Sequence, residues 1–142
     1  MRQGGFTLVE ILIIVALVII LATMAAPNIL RSRVNANEGT AVGNLRSINN
    51  ACQLYHLNQD QYPEALADLS NTTPPYLDST LASGEKQSYK FVYKLVSSDQ
   101  FTVNANPIST GLLRGKYFYM DETGVIRYNS TGPADSGDEI VK

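Results

Sequence analysis

The chain begins with a long apolar segment and then changes to a pattern typical of an amphipathic helix. Residues 11–30 contain no charged side chain and follow Glu10. A helix of about 20 such residues is about 30 Å long, which matches the thickness of a bilayer's hydrocarbon core. The pattern predicts one helix from Phe6 to about Asn58, apolar on all sides at 6–30 and amphipathic at 31–58.

Residues 59–142 carry the pattern of a small globular head. Residues 61–69 predict a short second helix with Pro63 in its first turn, and residues 70–88 predict a long surface loop because they are rich in turn-forming residues. Alternating apolar side chains then predict four antiparallel strands, near residues 89–96, 101–105, 117–120 and 125–128.

These elements predict the fold class. Before the fourth strand, Gly124 is suited to the positive φ that a hairpin connection needs. A sheet with one apolar face needs a covering layer, and the amphipathic part of the long helix offers one. We therefore expect an α+β fold in which a long N-terminal helix, spanning the membrane in its first half, packs against a small antiparallel sheet of about four strands.

Glu10 is the only charged residue in the predicted membrane helix. An ionisable group at such a position usually has a function and a partner. Cleavage between Gly5 and Phe6 would create an α-amino group four residues before Glu10, about one helical turn away. In a neighbouring copy shifted along the helix axis, the same amine would reach the carboxylate of this chain. Self-assembly would then neutralise both charges.

The run of residues 5–10, Gly-Phe-Thr-Leu-Val-Glu, is followed by an apolar helix that contains Pro27. This segment resembles the start of type IV pilins and type II secretion pseudopilins. The resemblance implies that a prepilin peptidase removes the leader, residues 1–5, by cutting after Gly5, and that it methylates the amino group of Phe6. It also implies that Glu10 docks each incoming subunit onto a growing filament. The pair Tyr62-Pro63 and the leucines that follow it favour the major pseudopilin branch.

The same resemblance implies partners and a location. The precursor would be a single-pass protein of the bacterial inner membrane, in contact with lipid, with prepilin peptidase and with an inner-membrane assembly platform. After processing it would form a homo-oligomeric helical filament in the periplasm or on the cell surface. Loss of the leader removes Arg2, so 10 basic residues face 13 acidic ones and the net charge changes from −2 to −3. Because the basic residues are scattered, nucleic-acid binding is not indicated.

Three alternatives remain open. Residues 1–26 also have the features of an ordinary secretory signal. A plain membrane anchor for a ligand-binding protein is a second alternative, with Arg31 and Arg33 as its basic flank. The third is a minor pilin that initiates or ends a filament and binds a ligand or DNA. The first two differ from a pilin in the mature N-terminus, and the third differs in copy number.

The sequence does not predict an enzyme. His56 is the only histidine, so a second histidine for zinc or for a nucleophile dyad does not exist. We expect His56 to be a solvated residue near the helix end. Cys52 is the only cysteine, which excludes an intrachain disulfide. Its spacing from Leu45 and Ile48 predicts a buried, inert thiol.

Two further features predict local structure. Pro27 lacks an N–H group and crowds the carbonyl four residues earlier, so we expect a kink or local melting of the helix near Thr23. Near the C-terminus, Asp135, Asp138 and Glu139 offer oxygen ligands for calcium, and the resemblance implies a calcium site in the C-terminal loop of major pseudopilins. Their spacing does not match a defined calcium motif, so the alternative is a frayed, solvated acidic tail.

Overall fold

The computed structural model describes residues 5–109 and 114–141, so leader residues 1–4 lie outside the described part. The chain divides into two compact units, Met1–Arg33 and Val34–Lys142. The helices are α1 (Leu8–Gln59), α2 (Leu66–Ser70) and α3 (Ser79–Ala82). The strands are β1 (Glu85–Lys86), β2 (Tyr89–Ser97), β3 (Gln100–Pro107), β4 (Tyr117–Asp121), β5 (Ile126–Asn129) and β6 (Glu139–Ile140).

The first unit contains the apolar part of α1, and its described residues are all exposed. The helix is continuous through Pro27, so the local melting predicted near Thr23 is wrong. Two side chains near Pro27 donate hydrogen bonds to backbone carbonyls of the same helix. The Thr23 hydroxyl donates to the Ile20 carbonyl at 2.7 Å, and the Asn28 amide donates to the Met24 carbonyl at 3.3 Å. Neither bond goes to the Thr23 carbonyl, which is the group that Pro27 leaves without its helical donor. A kink at Pro27 stays a prediction.

In the second unit, one stripe of α1 faces the core. Among the buried residues of α1, which also include Asn44 and Ala51, the predicted set Ala41, Leu45, Ile48 and Cys52 recurs at spacings of three and four. This is the periodicity of one helix face, so the predicted stripe and the burial of the Cys52 thiol are both confirmed. The helix ends at Gln59, one residue beyond the predicted end.

The sheet is an antiparallel meander in which the strands neighbour each other in chain order, β1-β2-β3-β4-β5-β6. Its inner face joins the α1 stripe in a single core and contributes Tyr89, Phe91, Phe101, Val103, Ala105, Phe118, Met120 and Ile126. The predicted α+β fold is therefore confirmed, as are the four predicted strands. The structure adds β1 and β6, which have two residues each and are too short to produce an alternating pattern.

The predicted short helix between α1 and β2 is present as α2, but its start and the predicted loop at 70–88 are wrong. The short helix begins at Leu66, after Pro63, because the Asp68 carboxylate accepts a hydrogen bond from the Ala65 N–H at 2.9 Å and so fixes the helix start there. The expected surface loop at 70–88 contains α3 and β1, and its side chains Leu77 and Leu81 are buried. The apolar residues of this segment thus extend the core, while its turn residues end the short elements.

Gly115 lies where the chain passes close to the core. A Cβ atom at this position would lie 2.5 Å from the Tyr89 hydroxyl oxygen, and that hydroxyl donates a hydrogen bond to the Lys116 carbonyl at 2.8 Å. Gly115→Ala is therefore expected to lower the free energy of unfolding by about 1–3 kcal/mol, because either the tyrosine or the backbone must move. Thermal unfolding of the full chain in detergent measures this.

Gly43→Ala is the matched control for Gly115→Ala. Gly43 lies on the exposed face of α1, and a Cβ atom there would meet no other atom within 4 Å. Alanine is the better helix former, so this control should raise the free energy of unfolding by up to about 1 kcal/mol. Equal melting temperatures for the two variants would contradict the close contact at Gly115.

Candidate functional site: the N-terminal motif and the C-terminal loop

The start of α1 is held by a reciprocal pair of side chains, Thr7 and Glu10. Glu10 Oε2 accepts hydrogen bonds from the Thr7 N–H at 2.8 Å and from the Thr7 hydroxyl at 2.9 Å, and Thr7 Oγ1 accepts from the Glu10 N–H at 3.3 Å. This is a capping box, in which a threonine before the helix and a glutamate in its first turn satisfy free N–H groups. The sequence signal for this cap is Thr-x-x-Glu, which was not among the predicted features.

The predicted cleavage site, Gly5–Phe6, precedes the helix. Both residues are exposed and non-helical, and the Phe6 residue is 77% exposed. Gly5 has open space around it, since an added Cβ atom would meet nothing within 4 Å. Because the two residues are joined by a peptide bond, the Phe6 nitrogen is an amide here. The pairing of a free Phe6 amine with Glu10 therefore stays a prediction.

The apolar residues beyond Glu10 have no protein partner in the described part of this single chain. The helix is long and apolar enough to cross a membrane, and none of its most apolar window is buried. Large exposed apolar surfaces in proteins mark sites covered by lipid or by other proteins. The surface between residues 11 and 18 includes Ile11, Ile14, Val15 and Val18, each about half exposed. This first unit suits a membrane-anchored precursor and a filament core.

The acidic C-terminal segment is ordered, so the expectation of a frayed tail is wrong. The Asp138 carboxylate accepts hydrogen bonds from the Asp135 N–H at 2.8 Å and from the Asn129 side-chain amide at 2.9 Å. The Glu139 carboxylate accepts one from the Tyr128 hydroxyl, and Glu139 pairs with Tyr128 in the sheet. These hydrogen bonds attach the acidic segment to β5.

The carboxylates proposed as calcium ligands already accept hydrogen bonds within the loop. Calcium takes about six to eight oxygen ligands. The contacts of Asp135 and Asp138 are to N–H donors: Asp135 accepts from the Gly137 N–H at 2.7 Å, and both oxygens of Asp138 accept from nitrogen. Within residues 5–109 and 114–141, no three His, Cys, Asp or Glu side chains are grouped to hold a metal ion. Calcium binding by this loop therefore stays a prediction.

Asp138→Ala tests this account of the loop. Loss of its carboxylate removes the acceptor of the Asn129 amide and of the exposed Asp135 N–H, which should lower the free energy of unfolding by about 0.5–1.5 kcal/mol. Glu64→Ala, at an exposed position, is the control and should behave like the unaltered chain. Chelator and added calcium test the metal separately: a melting temperature that falls in chelator and recovers with calcium alone would support a calcium site, and indifference to both would contradict one.

His56 is not the solvated side chain that the sequence predicted. Its Nε2 atom lies 3.2 Å from Asp99 Oδ1, its ring centroid lies 4.5 Å from that of Tyr62, and its side chain is 31% exposed. The hydrogen bond from His56, followed by one from Ser98, lowers the pKa of the Asp99 carboxyl. This contact joins the end of α1 to the turn between β2 and β3.

Burial raises the pKa of the Cys52 thiol to about 12, as expected for an inert thiol.

Comparisons with known proteins agree with this geometry. Residues 1–26 match the prokaryotic N-terminal methylation motif. The chain is 31% identical over 93 residues to the type II secretion system core protein G of Aeromonas hydrophila, covering 63% of this chain and 59% of the relative. The corresponding protein of Escherichia coli K12 is 29% identical over 89 residues, covering 62% and 61%. The chain therefore spans about three fifths of the length of these two relatives.

A pilus protein shows the same similarity over more of its own length. The type IV wide pilus major component of Thermus thermophilus is 30% identical over 89 residues, which cover 60% of this chain and 68% of the relative. No solved structure matches the chain. Together with the N-terminal motif and the exposed apolar helix, these relatives show that the chain belongs to the family of type IV pilins and type II secretion pseudopilins.

Proposed function

We propose that this protein is a structural subunit, a pilin or a major pseudopilin, that polymerises into a type IV pilus or a type II secretion pseudopilus. The observation that carries the proposal is the exposed apolar helix with a single carboxylate, Glu10, at its start. Lipid would cover this helix in the precursor, and the helices of other subunits would cover it in the filament.

The proposal includes a processing step. A prepilin peptidase cuts after Gly5 and methylates the amino group of Phe6, while the precursor is anchored in the bacterial inner membrane beside the assembly platform. The exposed, non-helical chain at Gly5 and Phe6 supports this step, because a protease needs a segment whose backbone is not bonded in a helix. The match of residues 1–26 to the methylation motif supports it as well.

Glu10 would then select the position of each subunit. Moving an apolar helix from lipid to a helix bundle yields little hydrophobic free energy, so packing and polar contacts must give specificity. Both hydrogen bonds from Thr7 go to Glu10 Oε2. A carboxylate has further acceptor capacity on its other oxygen. The cap of α1 and a pairing with the Phe6 amine of a neighbouring subunit are therefore compatible.

Mass spectrometry of sheared surface or periplasmic filaments tests the proposal. The expected subunit begins at N-methylated Phe6 and is the most abundant protein in the preparation. A subunit that begins at Met1 would contradict processing, and it would favour a membrane-anchored binding protein that is monomeric in detergent. A processed subunit of low abundance would contradict the role of a major subunit.

A further inference from the structure

Strand β2 has an open edge over most of its length. It runs from Tyr89 to Ser97, but β1 pairs only with Tyr89 and Lys90. The remaining stretch, Val92–Ser97, pairs on its other side with β3. In the described part of the chain, no strand lies on its outer side. Open edges carry unpaired backbone groups and are templates for another strand.

The backbone groups that face this edge follow from the hydrogen-bond pattern. The Phe91 N–H donates to the Gly84 carbonyl at 2.7 Å, on the side of β1. Backbone groups alternate sides along a strand, so Tyr93 and Leu95 direct their N–H and C=O groups to the same side. Among the described residues, these groups have no backbone partner. The open edge therefore offers two donors and two acceptors in the spacing of a β-ladder.

The side chains along the edge define the chemistry of a partner. Val92 and Val96 are 43% and 55% exposed, and Lys94 is exposed between them on the outer face of the sheet. Lys94 forms no ion pair within the described residues. The second unit is acidic, with 8 basic and 12 acidic residues in 34–142. The edge thus presents an unpaired cation flanked by apolar side chains on a negatively charged head.

The pairing of β1 with β2 shows which side chain can lie opposite a lysine of this edge. Strand β1 places Glu85 directly opposite Lys90 in the ladder. A strand that continued along the line of β1 would place a side chain opposite Lys94 in the same way, and opposite charges at such positions are favourable. A second copy of β2 contains no carboxylate to place opposite Lys94, and a register that aligns the lysines of the two copies is unfavourable. Charge therefore favours an acidic segment over a second copy.

We propose that the open edge of β2 binds an extended acidic segment of another protein by strand addition. The backbone of the segment bonds to Tyr93 and Leu95, a carboxylate lies opposite Lys94, and apolar side chains flank it beside Val92 and Val96. Main-chain bonds supply affinity in this mode, and alternate side chains supply specificity. The inference concerns the head alone and does not rest on filament formation.

The test uses the full chain in detergent micelles and a fluorescein-labelled peptide of about nine residues in which a central glutamate has a valine two residues before it and two residues after it, with threonine at the other positions. The expected result is saturable binding. Lys94→Glu should weaken it about fivefold or more, because a favourable cross-strand pair becomes a repulsive one. Arg46→Glu makes the same charge change on the exposed face of α1 and is expected to leave binding unchanged. The same peptide with lysine in place of glutamate should bind Lys94→Glu better than the unaltered chain.

Hydrogen exchange gives a second readout. The amides of Tyr93 and Leu95 should become protected when the acidic peptide binds, while those of Val92 and Lys94, which face β3, should change little. Three results would overturn the proposal. They are absence of binding at about 1 mM peptide, equal weakening by Arg46→Glu, and protection of Tyr93 and Leu95 on raising the protein concentration without peptide. The last result would identify a second copy as the occupant.

Discussion

Replacing Glu10 with glutamine is expected to abolish incorporation into filaments while the head stays as stable as in the unaltered chain. Glutamine keeps an oxygen that accepts from Thr7, and it is a normal residue of a capping box, so the helix start is preserved. What is lost is the charge that would neutralise the Phe6 amine. Leaving one partner of a buried pair unmatched costs about 3–5 kcal/mol, which corresponds to a loss of more than about 100-fold.

The comparison with Thr7→Val separates charge from capping. This variant removes the hydroxyl of the capping box but keeps the Glu10 carboxylate. The expected cost is that of a lost helix cap, about 0.5–2 kcal/mol, so filament yield should fall far less than for Glu10→Gln. Quantification of sheared filaments measures assembly, and thermal unfolding in detergent checks the head. Normal fibres from Glu10→Gln would contradict the role of the charge.

Truncation of Phe101 to alanine is expected to lower the free energy of unfolding of the head by about 3–5 kcal/mol. The ring is fully buried, and it packs edge-on against Tyr62 at 4.7 Å and stacked with Tyr93 at 5.7 Å between centroids. Total stabilities of small domains are about 5–15 kcal/mol, so this loss is a large fraction. With Cys52 as the only cysteine, no intrachain disulfide compensates for it.

Denaturant unfolding followed by near-ultraviolet circular dichroism measures the effect of Phe101→Ala. Val96→Ala on the adjacent strand is the control, because its side chain is 55% exposed, and a change within about 0.5 kcal/mol is expected. A loss at Phe101 no greater than at Val96 would show that the core does not depend on this aromatic cluster.

The parts of the fold with regular periodicity were predictable from the sequence. The stripe that includes Leu45 and Cys52, and strands such as β2 and β3, bury side chains at the expected spacings. Strands β1 and β6 have two residues each, and they form because neighbouring strands offer backbone partners. No local sequence pattern predicts these two strands. The same holds for α3 and for Leu77, whose burial depends on distant core residues.

The candidate site was predictable to a different degree at each residue. Glu10 stood out because a lone charge in an apolar helix is unusual, whereas its bonds to Thr7 need a known helix start. The contact of His56 with Asp99 joins residues 43 positions apart, and the bond from Asn129 to Asp138 links a strand to a loop. Such pairs depend on the tertiary fold, so neither the histidine's environment nor the closure of the C-terminal loop followed from composition or spacing.

The burial of Cys52 has a practical consequence for mapping how subunits neighbour each other. Its thiol is inaccessible, and its raised pKa keeps the reactive thiolate scarce at neutral pH. A cysteine introduced at an exposed position such as Ser47 would therefore be the sole site open to maleimide dyes or oxidative crosslinking. The unaltered chain should therefore not react with the label, and no native cysteine has to be removed first.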